Sequence, residues 1–432
     1  MNDASARFDD HSLHPVPASE RASGLSLALI TFGIGTTLPV FWLGAEVTQA
    51  IGFQRALLVF LGVCLAFGLL SVLTGMVGNR SRLSTYMVLH FSFGRHGAKL
   101  INLGIAVTLV GFYGATVDAF GAAVHGALLH LLGPHAAPAA VCALLGSGLM
   151  TLAAVFGLRG LEKLSNGAVP LMVIFIGYLL LRAVRGASPG QIMDFVGHGG
   201  SVSAATASVI GMVVMMPVLM PDVTRYAHGD RGSLIASLGL TLGFPFVFLA
   251  GGLPSIITGQ LGIAENMAAF GVVLPALFIL VFSNWITNTA NLYSATLTLA
   301  TVARLPDWKL TLAASLAGTA LALSGCMAYF QDFIFGLSVF IPPIASIYLV
   351  DFFLLRRQRY VLDELRQQPA WGWPALLAWC LASLVAYLGA YAGWQFSSFP
   401  TLDALVTSAL SYPLLHRVLR GSPAHALDHE TR

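Results

Sequence analysis

The chain has 432 residues, 56% of them hydrophobic and 9% charged, with a formal net charge of +3. A soluble domain carries about 25% charged residues and a disordered chain has little apolar content, so both classes are excluded. So small a charge gives no support to a nucleic-acid partner, and a mean hydropathy of +0.79 points to an all-α polytopic membrane protein.

A hydrocarbon core of about 30 Å needs about 20 apolar residues of helix. Twelve intervals meet this, at roughly 24–44, 54–77, 99–124, 138–157, 164–183, 204–221, 233–257, 267–292, 309–330, 333–354, 372–394 and 400–417. The expected organisation is a tail (1–23), one transmembrane domain (24–417) and a second tail (418–432). The leading tail carries Arg7, Asp9, Asp10, Glu20 and Arg21, and no small-residue cleavage site follows the first interval, which is therefore expected to be a retained helix. With twelve spans, nineteen of the 22 Lys and Arg residues fall on the side of both termini, leaving Arg55, Arg182 and Arg185 opposite. Basic residues favour the cytoplasmic side, so cytoplasmic termini in a bacterial inner membrane are expected. Trp42, Trp308, Trp371, Trp373 and Trp394 sit near interval ends, where interfacial anchors are common. Cys64, Cys142, Cys326 and Cys380 all lie in apolar runs, so no disulfide framework is implied.

Unpaired backbone groups are costly in lipid, so spanning helices should be continuous. Two intervals break this rule. The first contains Gly33-Ile34-Gly35-Thr36-Thr37 and then Pro39, and the sixth contains Met215-Met216-Pro217 and then Pro221-Asp222. Pro217 and Pro221 each lack an amide donor. If intervals one to five (24–183) and six to ten (204–354) are two copies of one unit, these breaks occupy equivalent places, and 372–417 adds two helices. Paired broken helices are the best sequence pointer to a transporter's central site.

The eighth interval holds a dense polar run, Ser283-Asn284-Trp285-Ile286-Thr287-Asn288-Thr289-Ala290-Asn291. Asn284, Thr287, Asn288 and Asn291 follow three-and-four spacing and share a helix face, as a solute- or ion-lining wall would. Asp118 lies within the third interval, where an acid is by default functional, so proton coupling is one expectation for it. Asp351, near the end of the tenth, is expected to pair with Arg356 or Arg357. A membrane enzyme is not expected. No H-E-x-x-H, G-x-S-x-G or phosphate-binding G-x-x-x-x-G-K-[ST] is present. His425 and His429 have helical spacing but no third ligand, and His125, His130 and His135 are spaced unlike a metal site. Cofactors are therefore not expected, nor any metal beyond a sodium ion.

Further motifs run in order: Phe91-Ser92-Phe93-Gly94 in a loop before the third interval, Pro221-Asp222-Val223-Thr224-Arg225-Tyr226 after the sixth, Trp285-Ile286-Thr287-Asn288 with Leu292-Tyr293 in the eighth, and Ile341-Pro342-Pro343 with Asp351 in the tenth. In this order the chain resembles the nucleobase:cation symporter-1 (purine/cytosine permease) family over nearly its whole length. The resemblance implies a five-plus-five inverted repeat with broken helices one and six and two added helices. It also implies secondary active import of a flat heterocycle with sodium or protons. The implied substrate positions are Thr37, Thr108, Phe112 (as the stacking ring), Val213, Met215, Ser283 and Asn284. The implied cation positions are Gly33, Thr36, Ser283, Ile286 and Thr287. Thr108, Ser283 and Ile286 stand where the family's cytosine carriers have glutamine, asparagine and threonine, so the pocket is expected to be less polar. Cytosine, a purine, or another pyrimidine such as a hydroxymethylpyrimidine precursor of thiamine all remain open as substrate. An amino-acid carrier of the same architecture is a second reading, because Gly33-Ile34-Gly35 could present helix-end amides to a carboxylate.

Overall fold

The computed structural model describes residues 14–262, 265, 266, 269–271, 273–303, 305–394 and 396–420. Arg7, Asp9, Asp10, Arg304, Arg432 and the His425–His429 pair lie outside the described residues. No β-strand forms among the described residues, and each apolar interval contains helix. In chain order these are α1 (Gly24–Gly35), α2 (Leu38–Ile51), α3 (Phe53–Ser81), α4 (Thr85–Leu132), α5 (Ala139–Val155), α6 (Gly157–Gly186) and the short α7 (Pro189–Met193). There follow α8 (Val202–Val213), α9 (Met215–Val218), α10 (Met220–Thr224), α11 (Asp230–Thr258), α12 (Val273–Ala300), α13 (Asp307–Leu323), α14 (Phe330–Phe340), α15 (Pro342–Val350), α16 (Trp373–Ala392) and α17 (Pro400–Arg420). Among the described residues, seven helical segments are long and apolar enough to cross a membrane, and the bent pair α1–α2 makes an eighth. Leu58, Leu65 and Leu69 on α3, Leu145 and Leu152 on α5, and Leu316 on α13 are exposed. Such leucine faces are costly against water and not against lipid tails. The chain is a multi-pass membrane protein.

The first break is a true opening. α1 stops at Gly35, Thr36 and Thr37 leave helical geometry (φ −90°, ψ 77° and φ −131°, ψ 153°) and α2 starts at Leu38 with Pro39 in its first turn. The two halves are bent by 58°. The sixth interval differs from the expected break. Val214 keeps a right-handed helical conformation (φ −61°, ψ −33°) between α8 and α9, and residues 202–224 run as one span. The prolines disturb its hydrogen bonds rather than its direction. Pro217 removes the amide that would reach the Val213 carbonyl. The Asp222 amide donates to Leu219 at 2.9 Å, so the Val218 carbonyl takes the Tyr348 hydroxyl of α15 at 2.9 Å instead. Pro342-Pro343 likewise separates α14 from α15 without ending the span, since Ile341 keeps a right-handed helical conformation (φ −86°, ψ −43°) and residues 326–355 run as one span.

Close crossings fix the bundle. A β-carbon on Gly251 of α11 would sit 1.9 Å from the Phe41 carbonyl oxygen of α2, and one on Gly44 of α2 would sit 2.2 Å from that of Phe248. Gly211 of α8 meets the Ile334 carbonyl of α14 just as closely, at 1.8 Å. Phe91-Ser92-Phe93, expected in a loop, is helical, and the chain turns at Gly94 (φ 75°) inside α4. Its missing side chain admits the Pro369 carbonyl and the Gly372 amide.

One end of the bundle gathers the basic residues. There Arg80 pairs with Asp230 at 2.6 Å, and Arg82 donates to the Arg225 and Ala227 carbonyls at 3.1 and 2.5 Å. Burial, reinforced by the nearby Arg21 charge, lowers the Arg82 pKa, and Asp230 opposes this. Asp351 meets its expected partner: Arg356 Nε donates to it at 3.0 Å, Tyr360 at 2.8 Å and Tyr412 at 2.7 Å. Arg356 also donates to the Phe91 carbonyl at 2.9 Å and to Gln368 at 2.8 Å. This joins α15, α17, the 356–372 connection and the start of α4.

Candidate functional site

A cavity opens beside the α1–α2 break, enclosing about 740 Å³ between protein atoms with its opening included. Its walls come from the break (Ile34, Thr37, Pro39, Val40), α4 (Leu109, Phe112, Thr116), α8–α10 (Met212, Met215, Asp222) and α12 (Thr287, Asn291, Ser294). Each wall follows from local sequence. The break exposes the residues flanking it. Leu109, Phe112 and Thr116 recur at three and four along α4, and Thr287, Asn291 and Ser294 at four and three along α12.

Of the substrate positions implied by the resemblance, Thr37, Phe112 and Met215 line this cavity. Thr37 Oγ1 is buried and has no hydrogen-bond partner. The Phe112 ring stands edge-on to Phe333 and Phe330, with centroids 5.2 and 5.9 Å away, so α14 backs the ring. Thr108, Val213, Ser283 and Asn284 are buried but lie outside the lining. The Thr108 hydroxyl donates to Gly104 at 3.0 Å, and the Asn284 amide donates to Leu280 at 2.9 Å within its own helix.

Of the cation positions implied by the resemblance, Gly33, Ile286 and Thr287 meet where α1 packs on α12. Thr287 Oγ1 donates to the Ile34 carbonyl at 3.2 Å, bridging the break to α12. Gly33 lies against Ile286 of α12 and Val169 of α6, each about 3 Å from where a β-carbon would stand. The Thr36 amide donates to Gly33 at 3.0 Å, its hydroxyl donates to Phe32 at 3.0 Å, and the Ser283 hydroxyl donates to Leu280 at 3.4 Å. Sequence reasoning did not single out Ile34, although its carbonyl is the one that meets Thr287. Being next to the glycines was its only signal.

The polar face of α12 divides. Thr287 and Asn291 face the cavity, whereas Asn288 accepts from Thr116 of α4 and donates to the Met150 sulfur of α5 at 3.2 Å. Asp118 lies away from the cavity and accepts from the Met327 amide at 3.1 Å. The same end of the bundle carries a Gln331–Glu46 contact at 3.0 Å between α14 and α2. At the basic end, the Ser26 hydroxyl of α1 donates to Glu162 of α6 at 2.6 Å, and Arg159 pairs with Glu20 at 3.0 Å. Both ends of the bundle are thus tied across helices from different parts of the chain.

Residues 15–414 match the family of permeases for cytosine/purines, uracil, thiamine and allantoin. The chain is 28% identical over 434 residues to the cytosine permease of Escherichia coli strain K12, covering 98% of this chain and 97% of that protein. Among solved structures it is similar to Mhp1, a nucleobase-cation-symport-1 family transporter, in a closed conformation with bromovinylhydantoin bound. That match has a TM-score of 0.81, 18% identity and 95% of each chain covered. The inward-facing conformation of Mhp1 matches with a TM-score of 0.78 and 18% identity over 96% of this chain and 95% of that one. A Na+-coupled sialic acid symporter in an outward-open state shares the fold at 0.66, with 10% identity over 94% and 92%. The chain belongs to the cytosine/purine, uracil, thiamine and allantoin permease family, the nucleobase–cation symporters.

Proposed function

We propose that the protein imports a nucleobase-like heterocycle by cation symport, using alternating access around the cavity at the α1–α2 break. In this reading the twelve intervals all span a bacterial inner membrane with both termini cytoplasmic, and 24–183 and 204–354 form an inverted repeat. The observation that carries the reading is the cavity itself. It places an aromatic ring, Phe112, and an unpartnered hydroxyl, Thr37, beside a helix opening that Thr287 bridges. A flat heterocycle offers a π-face to the ring and an edge of donors and acceptors to the polar walls. The cytosine permease relative supports a pyrimidine, and the family's breadth supports purine, uracil, thiamine-related and allantoin alternatives.

The cation travels as co-substrate. Oxygens at Gly33, Ile34, Thr36, Ser283, Ile286 and Thr287 would hold it between α1 and α12. Since a ligand shifts a conformational equilibrium only by its differential affinity, ion and heterocycle must favour the same state. Each therefore tightens the other's binding by one common factor.

The test is uptake into proteoliposomes of radiolabelled cytosine, uracil, adenine, hydroxymethylpyrimidine and allantoin, with imposed sodium or proton gradients. Gradient-dependent accumulation of one of them is expected. Accumulation of none, under either gradient, would overturn the proposal.

A further inference from the structure

The cavity extends along α12. Its α12 wall runs from Thr287 to Ser294, seven residues, and helix rise makes this about 10 Å. Phe112, Thr37 and Thr287 occupy one part of it, by the break. Asn291, Ser294 and Asp222 occupy the part toward the basic end, with Asp222 three residues before Arg225 in the chain. Every substrate position drawn from the family resemblance lies outside this second part or outside the lining altogether.

Two groups there suit a ligand. Asn291 Nδ2 is buried without a hydrogen-bond partner, although Asn291 lines the cavity. An amide donor left unpaired in an apolar setting costs about 1–3 kcal/mol, a cost removed when a ligand accepts from it. Asp222 is 1% exposed and is the one carboxylate among the described lining residues. Its Oδ1 accepts from the Thr85 amide at 2.8 Å and its Oδ2 from Ser294 at 3.4 Å, a long contact. The Thr85 amide and the Ser294 hydroxyl take two of the acceptor positions of this carboxyl group, whose oxygens can each accept more than one hydrogen bond. Ser294 follows Asn291 by three residues on α12, so its contact with Asp222 brings the donor and the acceptor to one wall.

We propose that Asn291 and Asp222 form a second ligand station, toward the basic end of the cavity. It takes heterocycles that carry an N–H next to a carbonyl or ring nitrogen. Asn291 donates to the ligand's acceptor, and Asp222 accepts from the adjacent N–H. Cis-amide and amidine edges both meet this requirement, whereas an edge whose N–H is methylated does not. The inference rests on the proposed nucleobase reading, and it adds a place where the solute pauses after leaving the Phe112 ring.

The experiment is equilibrium binding of radiolabelled cytosine, with uracil, adenine and hydroxymethylpyrimidine as parallel probes, to purified full-length protein. The variants are Phe112→Ala, Asn291→Leu, Asn291→Ala, Asp222→Asn and Phe112→Ala with Asn291→Leu. Phe112→Ala should leave a weak phase of binding, and adding Asn291→Leu should weaken that phase about tenfold or more. N-methylated cytosine should compete only for the tight phase. Asn291→Ala and Asp222→Asn give the same reading if the leucine variant fails to fold. A wild-type protein that binds no probe overturns the nucleobase reading and this inference with it. A wild type that binds, with every Asn291 and Asp222 variant unchanged in all phases, overturns the second station alone.

Discussion

Replacing Phe112 separates stacking from mere volume. The ring is 8% exposed and backed edge-on by Phe333 and Phe330 at 5.2 and 5.9 Å, so its free face is the one available to the cavity. Stacking of a base on an aromatic side chain contributes about 1–3 kcal/mol, which is about 5- to 150-fold in affinity. Phe112→Leu keeps most of the volume and removes the π-face, whereas Phe112→Ala also opens a void beside α14. Both should lose solute affinity in that range. The alanine variant should lose more thermal stability, because it forfeits packing as well as two edge contacts worth about 0.5–1.5 kcal/mol each. The assay is solute binding together with thermal unfolding in detergent. Wild-type affinity in the leucine variant would refute stacking at this position.

Three further outcomes follow from the geometry. Thr287→Val keeps the side-chain shape but removes the hydroxyl that meets Ile34, so half-saturation by the coupling ion should need roughly fivefold more ion, measured as the ion dependence of uptake. Asp351→Ala strands the partly buried Arg356 and two tyrosine hydroxyls, and a loss of about 3–5 kcal/mol should appear as a large drop in unfolding temperature. Gly211→Val puts branched carbon against the Ile334 carbonyl, and the expected overpacking of about 1–3 kcal/mol should lower both the yield of folded protein and its unfolding temperature.

The fold was legible wherever composition alone decides it. Apolar runs of membrane length became helices, and Gly33 to Pro39 marked a real opening, since two glycines and a proline within seven residues leave little to hold a helix together. The sixth interval was harder to read. Its prolines look like those of a break, yet Tyr348, 130 residues away, takes the Val218 carbonyl and lets the span continue. No local pattern announces that partner. The site shows the same limit. Periodicity grouped Asn284, Thr287, Asn288 and Asn291 on one face of α12, but which of them meets space depends on the helices packed against it. Thr116 and Met150 claim Asn288, and the cavity receives Thr287 and Asn291. Asp222 stood in a recognised motif, but only tertiary contact brought it beside Ser294.

The account's central claim is that a heterocycle sits in the cavity beside the α1–α2 break. A crystal structure with a brominated pyrimidine, read by its anomalous signal, locates the ligand without interpretation of weak density. The account predicts a bromine peak between Phe112 and the Thr37–Val40 segment, or in the Asn291–Asp222 part of the same cavity. A bound, transported pyrimidine whose bromine lies outside these walls would contradict it.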